Sequence, residues 1–542
     1  MRRLTDLLIA FKLALIPGII TKRKLIDKLR LNWGRELDEK RDFNLIAIYH
    51  RLARGESETE LVDDKTWQDL DMEEIFMKID RNVSSIGRQY LYHRLRRYEK
   101  DLTALSDLTD YYNFFLSETK LREDVQVILN RLSSDKASFV PFLFLDSLPE
   151  KPALHKLIYI SSFITVISSV LLFYHSYFVF VLLVLGLINI AFNVIFGKKI
   201  YEHFTGLCYL NVMLGAAISI SELEAQSSIP ALDYLRKHRS SLKRMKKSIG
   251  WLVIDKSKLG DLAEAGIEYL NLICLFDLVA FYRSIDHLLE HRSELAKIYN
   301  AVAALDFYIS TASYLSSLPS YCVPVSKQNQ VIDFNGVYHP MLGVPVANSF
   351  SLQDKSALIT GSNMAGKTTF IKTVGVNVIL GRTLHICLAE KAVIPRLSVR
   401  TSITRSENLD EGKSYFFEEV ETLLKFIRGS DAGRQSLFLI DEIYRGTNTT
   451  ERIASAMAVL RHLGECNIVL VTTHDIELQD LLKDSFDMYH FCEQVEGDRF
   501  YFDYKIKKGP TLSRNAIKLL ELCGYPEKII SEASSQAHKR IS

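Results

Sequence analysis

The chain has 542 residues, too many for one ordinary domain, and 48% of them are apolar, enough for more than one sizeable core. A formal net charge of +2 excludes a polycation, so any nucleic-acid surface must be a local patch. Seven scattered cysteines (Cys208, Cys274, Cys322, Cys387, Cys466, Cys492, Cys523) form no C-x-x-C pair, which suits a reducing compartment and argues against a disulfide framework or a zinc site.

Residues 1–64 read as a basic amphipathic or linker region. Lys12 interrupts the apolar run Leu7–Ile16 and Pro17-Gly18 follows it, which is unlike a secretory signal. A helix on a membrane surface and an ordinary packed helix both fit. Residues 65–325 read as an all-α domain, with apolar residues at helical spacing through Ile75–Leu95. Between Lys156 and Lys198, 41 consecutive residues carry no Asp, Glu, Lys or Arg. Leu157–Tyr174 and Phe178–Phe196 are each long enough to cross a hydrocarbon core of ~30 Å, with His175-Ser176 as the turn. The pattern predicts a transmembrane hairpin over 157–196, against the alternative of a buried hairpin in a soluble core. Lys151, Lys156, Lys198 and Lys199 flank it, so the positive-inside tendency puts both ends on the cytoplasmic face of the cytoplasmic membrane, with the domain that follows. Within the basic run Arg236–Lys247, contact with phosphates of nucleic acid or anionic lipid and a solvated helix face stand as equal readings. Ile298–Tyr308 reads as a further packed helix, and Pro319 and Pro324 mark a boundary.

From Val331 strands alternate with helices, the signature of a sheet covered on both faces, in a domain spanning 326–542. The apolar run Ala357–Ile359 leads into Gly361-Ser362-Asn363-Met364-Ala365-Gly366-Lys367-Thr368, which fits the phosphate-loop pattern G-x-x-x-x-G-K-[ST], with Thr369 opening a helix. Glycines at both ends allow backbone angles closed to other residues, so successive N–H groups and the helix N-terminus can surround phosphates. Lys367 supplies a point charge and Thr368 a hydroxyl for Mg²⁺, so the expected ligand is a nucleoside triphosphate with Mg²⁺. A second apolar run, Ser436–Ile440, ends in Asp441 and Glu442. At a strand's C-terminal edge Asp441 can hold Mg²⁺ and Glu442 can polarise the attacking water. A third, Asn467–Thr473, ends in His474, placed to sense or orient the terminal phosphate.

With their surroundings these motifs resemble the MutS family of mismatch-repair ATPases, a branch of the ABC-type class. The resemblance is carried by Asn363-Met364 in the loop, Asp441-Glu-Ile-Tyr-Arg-Gly-Thr-Asn-Thr449, Thr472-Thr-His474, His339-Pro340 before the adenine pocket and Leu409–Phe416 as signature loop. Asp80-Arg81, Gly87 and Ala303–Asp306 are similar to parts of the family's helical core and lever. The resemblance implies an ABC-type α/β ATPase domain, a mixed sheet flanked by helices, behind a long helical core and lever. It also implies a homodimer in which Ser414 of the partner subunit completes each nucleotide site, with His474 and Asn448 reporting the terminal phosphate. DNA is the implied partner and lipid the partner of the hairpin. Departures limit this. Too little chain precedes the core for a mismatch-reading domain, the hairpin lies where soluble members have lever, and Tyr415 and Glu418 replace small and apolar residues. A membrane scaffold whose ATPase gates a protein partner without DNA is the alternative. A transporter component ranks lower, since two spans without a buried charge offer little substrate path.

Overall fold

In the computed structural model the described residues are 22–54, 61–99, 102–224, 229–250, 270–327, 331–362, 365–403, 415–431, 435–444, 448–496, 499–510 and 524–539. The amphipathic run Leu7–Ile16, the loop residues Asn363 and Met364, and Ser414 of the signature loop lie outside them. Two compact units emerge, one of Met1–Glu56, Ile79–Arg94 and Asp110–Ser317, the other of Ser57–Lys78, Leu95–Thr109 and Leu318–Ser542.

The first unit is helical. The helical stretch expected over Ile75–Leu95 is two helices, Met72–Ile79, nearly all of which groups with the second unit, and Ser85–Arg96, and buried charge explains the break. Asp80 pairs with Arg41 at 2.8 Å, and its other oxygen accepts from Asn82 N at 3.0 Å. Asp306, fully buried in the Arg292–Leu315 helix, accepts from Ser84 N at 2.8 Å and Val83 N at 3.2 Å. A carboxylate thus caps the helix that begins at Ser85, satisfying N–H groups that would otherwise be orphaned. Gly87 lets that helix approach, because a Cβ there would stand 2.3 Å from Asp306 Oδ2. The two upstream patches singled out in the sequence are one packed junction.

His155–Leu171 and Phe178–Phe192 pack together, and the second continues through a π-helical turn, Asn193–Gly197, into Lys198–Ser221. Phe178–Ser221 is a 44-residue helix long and apolar enough to cross a membrane, and His155–Leu171 is a shorter apolar helix. The pair is polar inside and apolar outside. Ser161, Ser162, Thr165, Ser168 and Asn189 are buried, whereas Phe163, Phe173, Phe180 and Leu187 are 66%, 90%, 77% and 71% exposed. Asn189 Nδ2 donates to Thr165 Oγ1 at 3.0 Å, and Ser161 Oγ donates to Asn189 Oδ1 at 2.6 Å. That is the reverse of a helix pair built to face water.

The second unit holds the sheets. Five parallel strands run in the order β9 (Phe486–His490), β4 (Ser356–Thr360), β8 (Ile468–Thr472), β7 (Ser436–Asp441), β6 (Ser398–Ser402), and β12 (Lys507–Lys508) adds antiparallel to β9. β4 and β8 are buried at every position, as expected of strands covered on both faces. A smaller mixed sheet orders β1 (Val325–Lys327), β5 (Lys391–Pro395), β2 (Val331–Val337) and β3 (Asn348–Gln353). Residues 65–78 and 95–109, expected with the helical domain, group with these sheets, and with them residues 57–64 of the expected N-terminal region; together they close the β6 edge. Val399 N donates to Tyr98 Oη at 3.0 Å, while Ile403 N and Thr401 Oγ1 donate to Asp69 Oδ2 at 3.0 and 2.7 Å. Donors that an open edge would leave unpaired are thereby occupied.

Candidate functional site

Because β4, β8 and β7 are parallel neighbours, their C-terminal ends fall on one edge of the sheet, where ligands of open α/β sheets are held. At the end of β4 the chain turns at Gly361, with φ +130°, and enters the Lys367–Thr383 helix from Gly366, with φ +98°. A side chain at Gly361 is excluded sterically too, since its Cβ would lie 2.5 Å from Phe491 O. Phe491 is fixed there by its own N–H, which donates to Thr360 O at 2.9 Å, and by packing against Phe370. Lys367 is 1% exposed, with Nζ donating to Gly361 O at 2.6 Å, so its charge is folded back onto the loop. Ser362 Oγ is buried in the loop with no hydrogen-bond partner among the described residues.

The acids arrive on β7. Asp441, its last residue, stands in register with Thr472 of β8. Its Oδ2 accepts from Thr368 Oγ1 at 2.9 Å and its Oδ1 accepts from Thr472 Oγ1. Glu442 follows at φ +54° and Tyr444 at φ +58°, left-handed angles that cost non-glycine residues ~1–3 kcal/mol each and gather at functional sites. The turn is held from two sides: Glu442 N donates to Thr472 O at 3.1 Å, and Tyr444 N donates to Glu419 Oε1 at 2.6 Å. Glu442 is 7% exposed, and its Oε1 accepts from His474 Nε2 at 2.9 Å.

The structure therefore brings together Gly361, Ser362, Ala365, Gly366, Lys367 and Thr368 with Asp441, and joins Glu442 to His474. Thr369 is exposed on the first helical turn. Asn448 is the N-cap of the Thr449–Gly464 helix, its side chain accepting from Thr450 N at 3.1 Å. His339 is buried, with Lys372 of the same helix as Lys367 near it; burial, with the Lys372 charge behind it, lowers its pKa to about 4. Sequence reasoning missed Glu419, which props the strained turn, and the Arg452–Asp475 pair, with contacts of 3.0 and 2.6 Å, which ties the segment after β7 to the segment after β8. It also missed Tyr504, whose ring lies 3.3 Å from where a Cβ on Gly366 would be. No local pattern marks these residues, because each acts through a neighbour distant in sequence.

Among the described residues no group of three or more His, Cys, Asp or Glu side chains could hold a metal by itself. Thr368 and Asp441, 2.9 Å apart, offer one hydroxyl and one carboxylate as hard oxygen donors. Such a pair suits Mg²⁺, which takes few protein ligands and completes its shell with water and phosphate oxygens.

Fold and site together define a mixed α/β unit that gathers a glycine loop, two acids and a histidine on one sheet edge. The family model described as MutS domain V matches residues 357–541. Proteins described as "DNA mismatch repair protein MutS" are similar to this chain. The one from Leptospira interrogans serovar copenhageni is 27% identical over 340 residues, covering 60% of this chain and 38% of its own length. That from Chlamydia trachomatis serovar L2b is 29% identical over 288 residues, covering 49% and 33%. That from Fusobacterium nucleatum is 29% identical over 258 residues, covering 45% and 28%. The likeness supports kinship with the MutS family, and it spans about a third of the length of these relatives.

Proposed function

We propose that the chain is a Mg²⁺-dependent, MutS-like ATPase that works as a dimer, is attached to a membrane by its apolar hairpin, and grips DNA in response to nucleotide. The observation that carries the reading is the joining of Thr368, Asp441 and Thr472 beside the loop, with Glu442 one residue and His474 two residues past the same strand ends. The loop amides and Lys367 bind the phosphates, Lys367 leaving Gly361 O to do so. Thr368 and Asp441 would hold Mg²⁺, which when bound neutralises charge on the phosphate oxygens. Glu442 takes a proton from the attacking water, and His474 orients its carboxylate through Oε1. Ser414 of the partner subunit completes the site, as the resemblance implies. Lys367→Ala tests the site: it should abolish binding of a fluorescent ATP analogue, and undiminished binding would sink the assignment.

The hairpin's inverted polarity supports the membrane reading, with Lys151, Lys156, Lys198 and Lys199 at its foot. Carbonate extraction tests it, since release into the soluble fraction would return the hairpin to a soluble core.

One observation favours the scaffold reading, in which a protein replaces DNA. Within Arg236–Lys247, Arg239 and Lys243 both pair with Glu222, and Arg236 lies 3.6 Å from Asp233. Three cations of the run thus already have partners, which shrinks the phosphate-binding patch that the sequence suggests. DNA affinity across a salt series decides: a steep negative slope supports DNA, and a flat response or no binding supports the scaffold.

A further inference from the structure

At the foot of the hairpin the chain widens into the π-helical turn Asn193–Gly197 before the Lys198–Ser221 helix. Such turns are rare and frequent at functional sites. Opposite stands a locked pair: Asn271 Nδ2 donates to Asp277 Oδ2 at 2.7 Å, and Asn271 Oδ1 accepts from Asp277 N at 2.8 Å. Between them lies a cleft of about 510 Å³ whose polar lining includes Lys198, Lys199, Glu202, His203, Asn271 and Asp277. His203 is 8% exposed, and among the described residues its ring nitrogens are only loosely held, with Asp146 Oδ2 3.9 Å from Nε2 and the Ser147 backbone nearby. A buried imidazole so loosely held at the wall of a cleft has hydrogen-bonding capacity to offer a ligand.

We propose that this cleft binds the headgroup of a zwitterionic phospholipid bearing a primary amine, a phosphoethanolamine; the inference rests on reading the hairpin as membrane-embedded. The charges select that chemistry. Lys198, Lys199 and an imidazole N–H suit a phosphate, while Glu202 and Asp277 suit an ammonium group. A purely anionic headgroup would face two carboxylates. A choline headgroup has no N–H to give them. The volume lies within the ~300–1,000 Å³ of small-molecule sites. The acyl chains have a surface beside it, for Ile195, Ile273 and Phe276 are 54%, 41% and 42% exposed. Asn189 Nδ2 and Ser162 Oγ hold that flank to the hairpin by donating to Ile273 O and Cys274 O, each at 2.6 Å.

The test is native mass spectrometry of the full chain, purified in mild detergent and offered equimolar phosphatidylethanolamine, phosphatidylglycerol and phosphatidylcholine with identical acyl chains. The expected result is one bound lipid per protomer, with the ethanolamine lipid retained about tenfold over the choline lipid, roughly 1.4 kcal/mol. Lys198→Gln with Lys199→Gln should lower total retention, and Glu202→Gln should erase the preference for ethanolamine over glycerol headgroups. Equal retention of all three lipids, or native retention by the double lysine variant, overturns the proposal. Carbonate extraction of membranes from the cells that supply the protein separates the two claims. A chain that stays with the membrane but shows no lipid preference refutes this site alone, and a chain released from the membrane refutes the hairpin reading with it.

Discussion

The Thr368 hydroxyl donates to Asp441 Oδ2 at 2.9 Å, joining the first turn after the glycine loop to the end of β7 through two hard oxygen donors. If that pair holds Mg²⁺, Thr368→Val and Asp441→Asn should each lower ATP turnover ~10²-fold and raise the Mg²⁺ concentration needed for half-maximal rate. A Mg²⁺ titration of both variants checks this. Native curves for both would remove the metal assignment.

His474 holds the Glu442 carboxylate at 2.9 Å, and the two roles should separate kinetically. His474→Ala is expected to lower kcat ~10-fold with nucleotide affinity unchanged, as for a residue that orients a general base. A loss of affinity with kcat intact would instead make His474 a phosphate ligand.

His339 gives a pH signature to the sheet-bearing unit. Burial, reinforced by Lys372, brings its pKa to about 4, against the 6.5 of the free side chain. The unfolded chain therefore takes the proton first as pH falls. The stability carried by the neutral imidazole is whole above pH 6.5 and is lost progressively down to about 4, up to ~3 kcal/mol in all. His339→Gln should flatten that part of the unfolding profile. Identical melting curves for native and variant from pH 4 to 7 would contradict the account.

How far the residues announce this fold depends on whether the determining contact is local. The loop, its strand and its helix were legible because glycine, lysine and threonine spacing encodes one continuous turn; the strand Ser356–Thr360 extends the expected run by one residue at each end, and the helix Lys367–Thr383 opens two residues before Thr369. The meeting of Asp441 with Thr368 followed from strand order, which parallel pairing supplies. The break between Ile79 and Ser85 was not legible, because it is made by Asp306, more than 200 positions away. Nor was the departure of residues 57–78 and 95–109 to the sheet-bearing unit, since amphipathic periodicity says that a helix packs and not against what. The two apolar segments were legible, though the first helix ends at Leu171 and the second runs on to Ser221; the inward-facing Ser161, Thr165 and Asn189 appear only in three dimensions.

Gly87 tests the helical junction. Alanine favours helix over glycine by ~1 kcal/mol, yet Gly87→Ala should destabilise by several kcal/mol, because the new methyl would meet Asp306 Oδ2 at 2.3 Å. Gly429→Ala is the matched control, with nothing within 4 Å of its Cβ, and should be neutral or stabilising. Chemical denaturation of both variants reads the difference, and a Gly87→Ala chain as stable as the native one would refute the junction.

The most direct test of the central claim is the turnover and nucleotide content of Glu442→Gln. The substitution keeps the size and hydrogen bonding of a side chain that is 7% exposed, and removes only its capacity to take a proton. The account predicts that native protein hydrolyses ATP, while the variant binds it, turns over ~10²–10³-fold more slowly, about 3–4 kcal/mol of barrier, and accumulates as an ATP-loaded dimer. Full turnover by Glu442→Gln would contradict it.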